Sequence, residues 1–334
     1  MAGKTRPKFV IGVDLGGTKI SSAAVSDDGT ATHGLRSIPT QPELGADGVV
    51  DRIIGLIEGV ILDTINETGA TRKDFIGIGV GAPGPLDREN GLVVVAPNLG
   101  WRDFPLRDRV SIPLGLPVTL DNDANCATVG EWWLGAARGG RNVIGITIGT
   151  GIGGGIIVDG TLYHGASDVA GEVGHTTIDV NGRYCKCGNY GCLEAYASGP
   201  AIATRAREAL VREDTASMLP SMVDGQLDRI TAETVYDAAK AGDGLAHEIV
   251  RDTARYLGAG IASLLNIMNP DVVVVAGGVT HAGEALFGPL RAEVRRRAFG
   301  SAVRAVRIVP AELPGTAGVV GAVATFKMST TGKL

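Results

Sequence analysis

Apolar residues recur along the chain in two registers. Short unbroken runs rich in Val and Ile and closed by glycine read as buried strands, and longer stretches with apolar residues three and four apart read as helices. Phe9–Val13 (FVIGV) and Ile20–Val25 are the first two such runs, with Asp14-Leu15-Gly16-Gly17-Thr18-Lys19 between them as a glycine hairpin turn. The pattern returns at Val143. VIGITIGTGIGGGIIVDGT (Val143–Thr161) lies over VIGVDLGGTKISSAAVSDDGT (Val10–Thr30) at an offset of 133, and Gly16 falls on Gly149. A repeat of that period is a duplicated domain, not a solenoid. Between the hairpins, Gly48–Glu67 carries Val49, Ile53, Ile54, Ile57, Val60 and Ile61 at helical spacing, and Phe75–Val80 is a strand. GAPGPLD (Gly81–Asp87) is a proline-stiffened loop at that strand's carboxyl end, where α/β sheets hold ligands. Leu92–Val95 leads into APNLGW, Val118–Leu120 is a short strand, and a helix spans Ala124–Ala137. Further on, helices cover Pro200–Arg212, Ala232–Ala241 and Leu245–Met268, the last stopped by Asn269-Pro270. Val272–Val275 and Val306–Pro310 are strands, and GTAGVVGAVATF from Gly315 is a helix whose small residues permit close packing.

At 334 residues the chain accommodates two domains with separate cores, and its 44% of hydrophobic residues can fill them. Aromatics make up only 4% while glycine reaches 50 residues, so the cores are built from Val, Ile, Leu and Ala, with much backbone left bare. Bare backbone suits phosphate binding and close strand packing. No Gly/Ser- or Pro-rich linker appears, so short crossings join the halves. A net charge of −5 argues against nucleic acid or an anionic membrane as partner. Arg291–Arg297 (RAEVRRR) reads as the solvated face of a helix. The basic start, MAGKTRPK, lacks the apolar core and cleavage site of a signal peptide, and no window has the roughly eighteen uninterrupted apolar residues of a membrane span. Thiols without a secretory signal point to a reducing cytoplasm. Cys126, in an apolar helix start, reads as core.

The densest chemistry lies between Glu172 and Glu194 (EVGHTTIDVNGRYCKCGNYGCLE). His175, Cys185, Cys187 and Cys192 suit a tetrahedral zinc site of three thiolates and one imidazole, and Gly182, Gly188 and Gly191 let the chain fold back around the ion. Reduced thiols without metal are the alternative. Closing such a loop brings Glu172 and Glu194 near one imidazole, where carboxylates and a fixed ring N–H can receive sugar hydroxyls. Otherwise Glu172 is a solvated loop acid and Glu194 a first-turn acid of a helix. The turns at Gly16-Gly17-Thr18-Lys19 and Gly149-Thr150-Gly151 offer backbone N–H groups to an anion, or are plain hairpin turns. The GxGxxG spacings at Gly149 and at Gly79 open no helix and are weak as dinucleotide signals. Asp121, Asn122 and Asp123 stand at a strand-to-helix junction, as N-caps or as catalytic groups, Asp123 then being the general base. Asn98 is a candidate hydroxyl reader and Trp101 a candidate wall. Gly277 and Gly278 let backbone approach a flat ring, or form a bare turn or cap.

GHxxx(D)xxGxxCxCGxxGCxE, from Gly174 to Glu194, resembles the signature of the ROK family of sugar kinases and repressors, and the similarity runs from Ile11 to about Ala324. The resemblance implies an actin-like ATPase (ribonuclease H-like) fold of two duplicated α/β domains with a cleft between them. Its division would be residues 1–121 plus 315–334 and residues 122–314, the C-terminal helix returning to the first domain. It implies an ATP-dependent hexokinase acting on the 6-hydroxyl of glucose. NDAN (Asn122–Asn125) matches the family's catalytic pair, with Asp123 the base. Ala82, Asn98, Asn122, Asp123, Glu172, His175 and Glu194 would contact the sugar. Asp14, Gly16, Gly17, Thr18, Lys19, Gly149, Thr150, Gly151, Gly277 and Gly278 would contact ATP, Asp14 orienting Mg²⁺ through water. Zn²⁺ would be structural. Another sugar (N-acetylmannosamine, fructose, mannose or allose), a sugar-sensing repressor and polyphosphate as donor stay open, and the resemblance implies a homodimer or homotetramer.

Overall fold

The computed structural model describes residues 7–212 and 216–334, so most of the basic start MAGKTRPK lies outside the described residues. Phe9–Leu15 pairs antiparallel with Lys19–Ser26, in register from Phe9↔Ser26 to Leu15↔Ile20. Every residue of Phe9–Leu15 except Asp14 is buried, which is why the run is apolar without alternation. Thr32–Pro39 lies at one edge of this sheet, and Phe75–Ala82 and then Val118–Asn122 extend it in parallel on the other side. A second five-stranded sheet has the order Thr161–Leu162, Ile152–Val158, Val143–Ile148, Val272–Ala276, Arg307–Pro310, the last three parallel. Strand order is therefore the same in both: edge strand, return strand of the hairpin, its first strand, then two parallel strands. A small antiparallel sheet, Leu86–Asp87, Leu92–Ala96 and Trp101–Phe104, follows the GAPGPLD loop.

The helix Gly45–Thr68 buries Val49, Ile53, Ile57, Val60 and Ile61 and ends at Gly69, whose φ of 72° is a left-handed cap. The helix after Asn122 spans Asp123–Trp133, shorter than the stretch to Ala137 expected from apolar spacing. Glu131 ends it. This buried carboxylate accepts from Ala136 N (2.9 Å), Glu312 N (3.0 Å) and Leu313 N (2.7 Å), turning the chain out of the helix. The C-terminal helix, Ala317–Thr331, packs backbone to backbone: a methyl added at Gly79 would lie 1.8 Å from Ala322 O, and one at Gly321 1.5 Å from Cys126 O. Cys126 is buried, as its apolar neighbours imply.

Contacts divide the chain into two compact units. One runs to Gly139 and adds Gly155–Ala170 and Glu312–Leu334; the other comprises Gly140–Gly154 and Gly171–Ala311. By packing, the helix Asp123–Trp133 goes with the first unit, since Gly321 and Gly130 let it lie against the C-terminal helix. In the second unit, Gly199–Arg212, Ala232–Lys240 and Gly244–Met268 bury Ile202, Val235, Leu257 and Ile261, and Asn269 caps the long helix in the left-handed region (φ 46°). Arg295, Arg296 and Arg297 are exposed on the helix Glu284–Arg297. Among the described residues no helix is long and apolar enough to cross a membrane.

Candidate functional site

In the first unit the hairpin turn closes through Gly16 N, which donates to Lys19 O at 2.9 Å. Thr40, fully buried, holds it from behind: its hydroxyl donates to Gly16 O (2.7 Å) and its N–H to Thr18 O (2.9 Å). Thr18 and Lys19 are exposed. A methyl on Gly17 would lie 3.4 Å from Asn98 Cβ, so this turn abuts Asn98, itself exposed on the short helix Pro97–Leu99. Burial pushes the Asp14 carboxyl above its ordinary value, and Lys19 pulls it partly back. Trp101 is 3% exposed and stacks on Phe104 with ring centroids 4.3 Å apart; it serves the core, not a ligand wall.

Ala82 and Asn122 are partners at the carboxyl ends of neighbouring parallel strands. Asn122 is the N-cap of the next helix: Oδ1 accepts from Ala124 N (2.9 Å) and Asn125 N (3.2 Å), while Nδ2 makes only a long contact to Gly84 O (3.5 Å). The cap leaves that amide as a donor. Asp123 is the first helical residue, with Oδ1 accepting from Ala124 N at 2.8 Å. Asp121 points into the protein. It is 3% exposed, and its carboxylate receives Asn125 Nδ2 and His164 Nε2, both at 2.9 Å, with Arg88 Nε at 3.6 Å. Arg88 also pairs with Asp168 at 3.2 Å. Residues that sequence reasoning passed over, Arg88, His164 and Thr40, thus brace the turn that carries Asn122 and Asp123 and the first hairpin. No spacing signal marks them, because their partners are distant in the chain.

In the second unit, Gly149 N donates to Gly151 O and Gly199 N to Gly149 O, both at 2.9 Å. Gly149 and Thr150 are exposed. Gly277 caps the short helix Gly278–Ala282 at its N-terminus with φ 103°, and a methyl there would strike Ile148 O at 2.0 Å. Its glycine is therefore required by the approach to this hairpin, while Gly278 has open space around it. Glu194 opens the helix Glu194–Ala197, and its Oε2 accepts from Ile152 N at 2.8 Å.

The ligand atoms of His175, Cys185, Cys187 and Cys192 all lie within 4.8 Å of one another. Two Zn–S bonds of about 2.3 Å at the tetrahedral angle separate their sulfurs by about 3.8 Å. Cys187 Sγ and Cys192 Sγ are 3.7 Å apart, and Cys185 Sγ lies 3.8 Å from His175 Nδ1, so the set fits that ion. The loop closes as its glycines suggest: Gly188 (φ 95°) and Gly191 (φ 72°) are left-handed, and a methyl at Gly182 would strike Tyr196 OH. With Nδ1 among the sulfurs, His175 Nε2 faces Glu172 Oε2 at 4.0 Å. Burial raises the Glu172 carboxyl above its usual range, with His175 opposing and Glu194 adding. Arg183 pairs with Glu208 at 2.5 Å and fastens the loop to the helix Gly199–Arg212.

The profile of the ROK family matches residues 10–329. A glucokinase of Halalkalibacterium halodurans is 39% identical over 315 residues, 94% of this chain and 93% of its own. A xylose repressor of Caldicellulosiruptor bescii is 35% identical over 82% of this chain and 68% of its own. The crystal structure of a ROK family glucokinase from Streptomyces griseus, in complex with glucose and AMPPNP, superposes with a TM-score of 0.82 at 38% identity, covering 95% of this chain and 98% of that one. The two like-ordered sheets are those of an actin-like ATPase fold, and the chain belongs to the ROK family.

Proposed function

We propose that this protein is an ATP-dependent glucokinase that transfers the γ-phosphate to the 6-hydroxyl of glucose. The observation that carries the reading is the likeness to glucokinases over nearly the whole chain, joined to a four-ligand cluster flanked by Glu172 and Glu194. Phosphoryl transfer asks the protein mainly for positioning and charge stabilisation. Backbone N–H groups of Gly17 and Thr18 and of Thr150 and Gly151 hold the phosphates, with Gly16 and Gly149 closing the turns, Lys19 adds positive charge, and Gly277 and Gly278 flank the adenosine. Ala82, Asn98, Asn122, Glu172, His175 and Glu194 hold the sugar hydroxyls. Asp123 accepts the proton of the attacking hydroxyl, a contribution of typically about 10²- to 10⁴-fold. Its place at the start of a capped helix fixes the carboxylate before substrate arrives.

Asp14 would help to orient Mg²⁺, which would supply charge neutralisation at the phosphates. Zn²⁺ would be held by His175, Cys185, Cys187 and Cys192, and its contribution there would be to fix the loop. An ADP-release assay with glucose, mannose, fructose, allose and N-acetylmannosamine, with ATP or polyphosphate as donor, tests the reading. The highest kcat/KM is expected for glucose with ATP. Preference for another sugar overturns the substrate, and turnover of none favours the second reading that the repressor relative suggests, sugar binding without transfer.

A further inference from the structure

Glu194 makes a contact that receiving a sugar hydroxyl does not require. Its Oε2 accepts the N–H of Ile152, the first amide after the turn Gly149–Gly151, at 2.8 Å. A methyl added to Gly151 would lie 2.6 Å from that same oxygen. Two residues past the helix that Glu194 opens, Gly199 N donates to Gly149 O at 2.9 Å. The turn is thus held at both ends by the segment 194–199. The Ile152 bond is charge-assisted and so among the stronger of its kind. Gly149 and Thr150 lie exposed between the two anchors, with amides directed by backbone that other residues fix.

We propose that Glu194 is a positioning residue for the second phosphate hairpin, setting the backbone of Gly149–Ile152 so that nucleotide affinity depends on Glu194 even when no sugar is present. This rests on reading that hairpin as a phosphate loop and Glu194 as a sugar contact. One carboxylate then serves both, and the coupling it creates is reciprocal: what displaces it from one ligand's side weakens the other.

AMPPNP titrated by calorimetry without sugar, together with hydrogen exchange at the Ile152 amide, tests the role. Glu194→Gln keeps an oxygen acceptor and is expected to hold the AMPPNP Kd within about threefold. Glu194→Leu removes it and is expected to raise the Kd at least about tenfold and to speed Ile152 exchange by a similar factor. Normal Kd and normal exchange in Glu194→Leu overturn the positioning role alone. Normal glucose affinity in that variant overturns the sugar contact alone. Gly151→Ala tests the converse without touching the carboxylate's own chain: glucose titrated without nucleotide is expected to bind at least about fivefold more weakly. Unchanged glucose affinity there overturns the coupling.

Discussion

Asp123 begins its helix with one carboxylate oxygen tied to Ala124 N at 2.8 Å, beside a cap, Asn122, whose Oδ1 accepts from Ala124 N and Asn125 N. An amide in place of that acid keeps the shape and removes the proposed base. Asp123→Asn is therefore expected to bind glucose within about threefold of wild type while kcat falls at least about 100-fold, read by calorimetry and coupled ADP release. The junction was legible in the sequence, since polar residues between a strand and a helix suit a cap or a catalytic group. Its bracing was not: His164 reaches Asp121 across 43 residues, and only folding brings them to 2.9 Å. Charge acts at the same scale in Glu293, whose carboxyl is lowered from 4.5 to about 2, chiefly by Arg296 and then Arg297. The unfolded chain takes up its proton near 4.5, so the stabilisation is whole above that pH and is lost as pH falls toward about 2. Both arginines are half exposed, which limits the gain to about 1 kcal/mol. Glu293→Gln should melt about 2 °C below wild type at pH 7, with the gap narrowing below pH 4.5 and closing only as pH falls through about 2 in thermal scans.

Elements here are joined by bare backbone as much as by side chains. A methyl at Gly321 would lie 1.5 Å from Cys126 O, whereas Gly55, exposed on the helix Gly45–Thr68, has nothing within 4 Å. Gly321→Ala must push two helices apart and is expected to lower Tm by at least about 5 °C. Gly55→Ala adds helix propensity in open space and is expected to raise Tm by about 1–3 °C. The loop that carries His175, Cys185, Cys187 and Cys192 is a different kind of element, closed around four candidate metal ligands that lie within 4.8 Å of one another. Tyr184 and Tyr190 are exposed, and Cys187 is the exposed ligand. Cys187→Ser is expected to lose zinc by elemental analysis and to weaken glucose binding at least about tenfold. Full glucose affinity in a zinc-free variant would contradict the loop's scaffold role. The ligand spacing declared this loop in advance. The early end of the helix at Trp133 was hidden, because the Glu131 carboxylate that stops it also answers to Glu312 and Leu313.

For the whole molecule, ligand binding and stability are linked. Glucose at about 100 times its Kd should stabilise the chain by about 2.7 kcal/mol, seen as a Tm rise of several degrees, and a sugar the protein does not bind should give none. Asp123→Asn should retain the shift, since only transfer is lost. The sequence alone determined the duplication, the hairpins, the His/Cys cluster and the family, because each is written in local spacing or in a repeat, and local spacing survives without a fold. Tertiary structure alone decided that Thr40 backs the first turn, that Arg88 and His164 meet Asp121, that Trp101 belongs to the core, and that Glu194 reaches the Ile152 amide. These are contacts between residues far apart in the chain, chosen by how sheets and helices pack, and no periodicity encodes them.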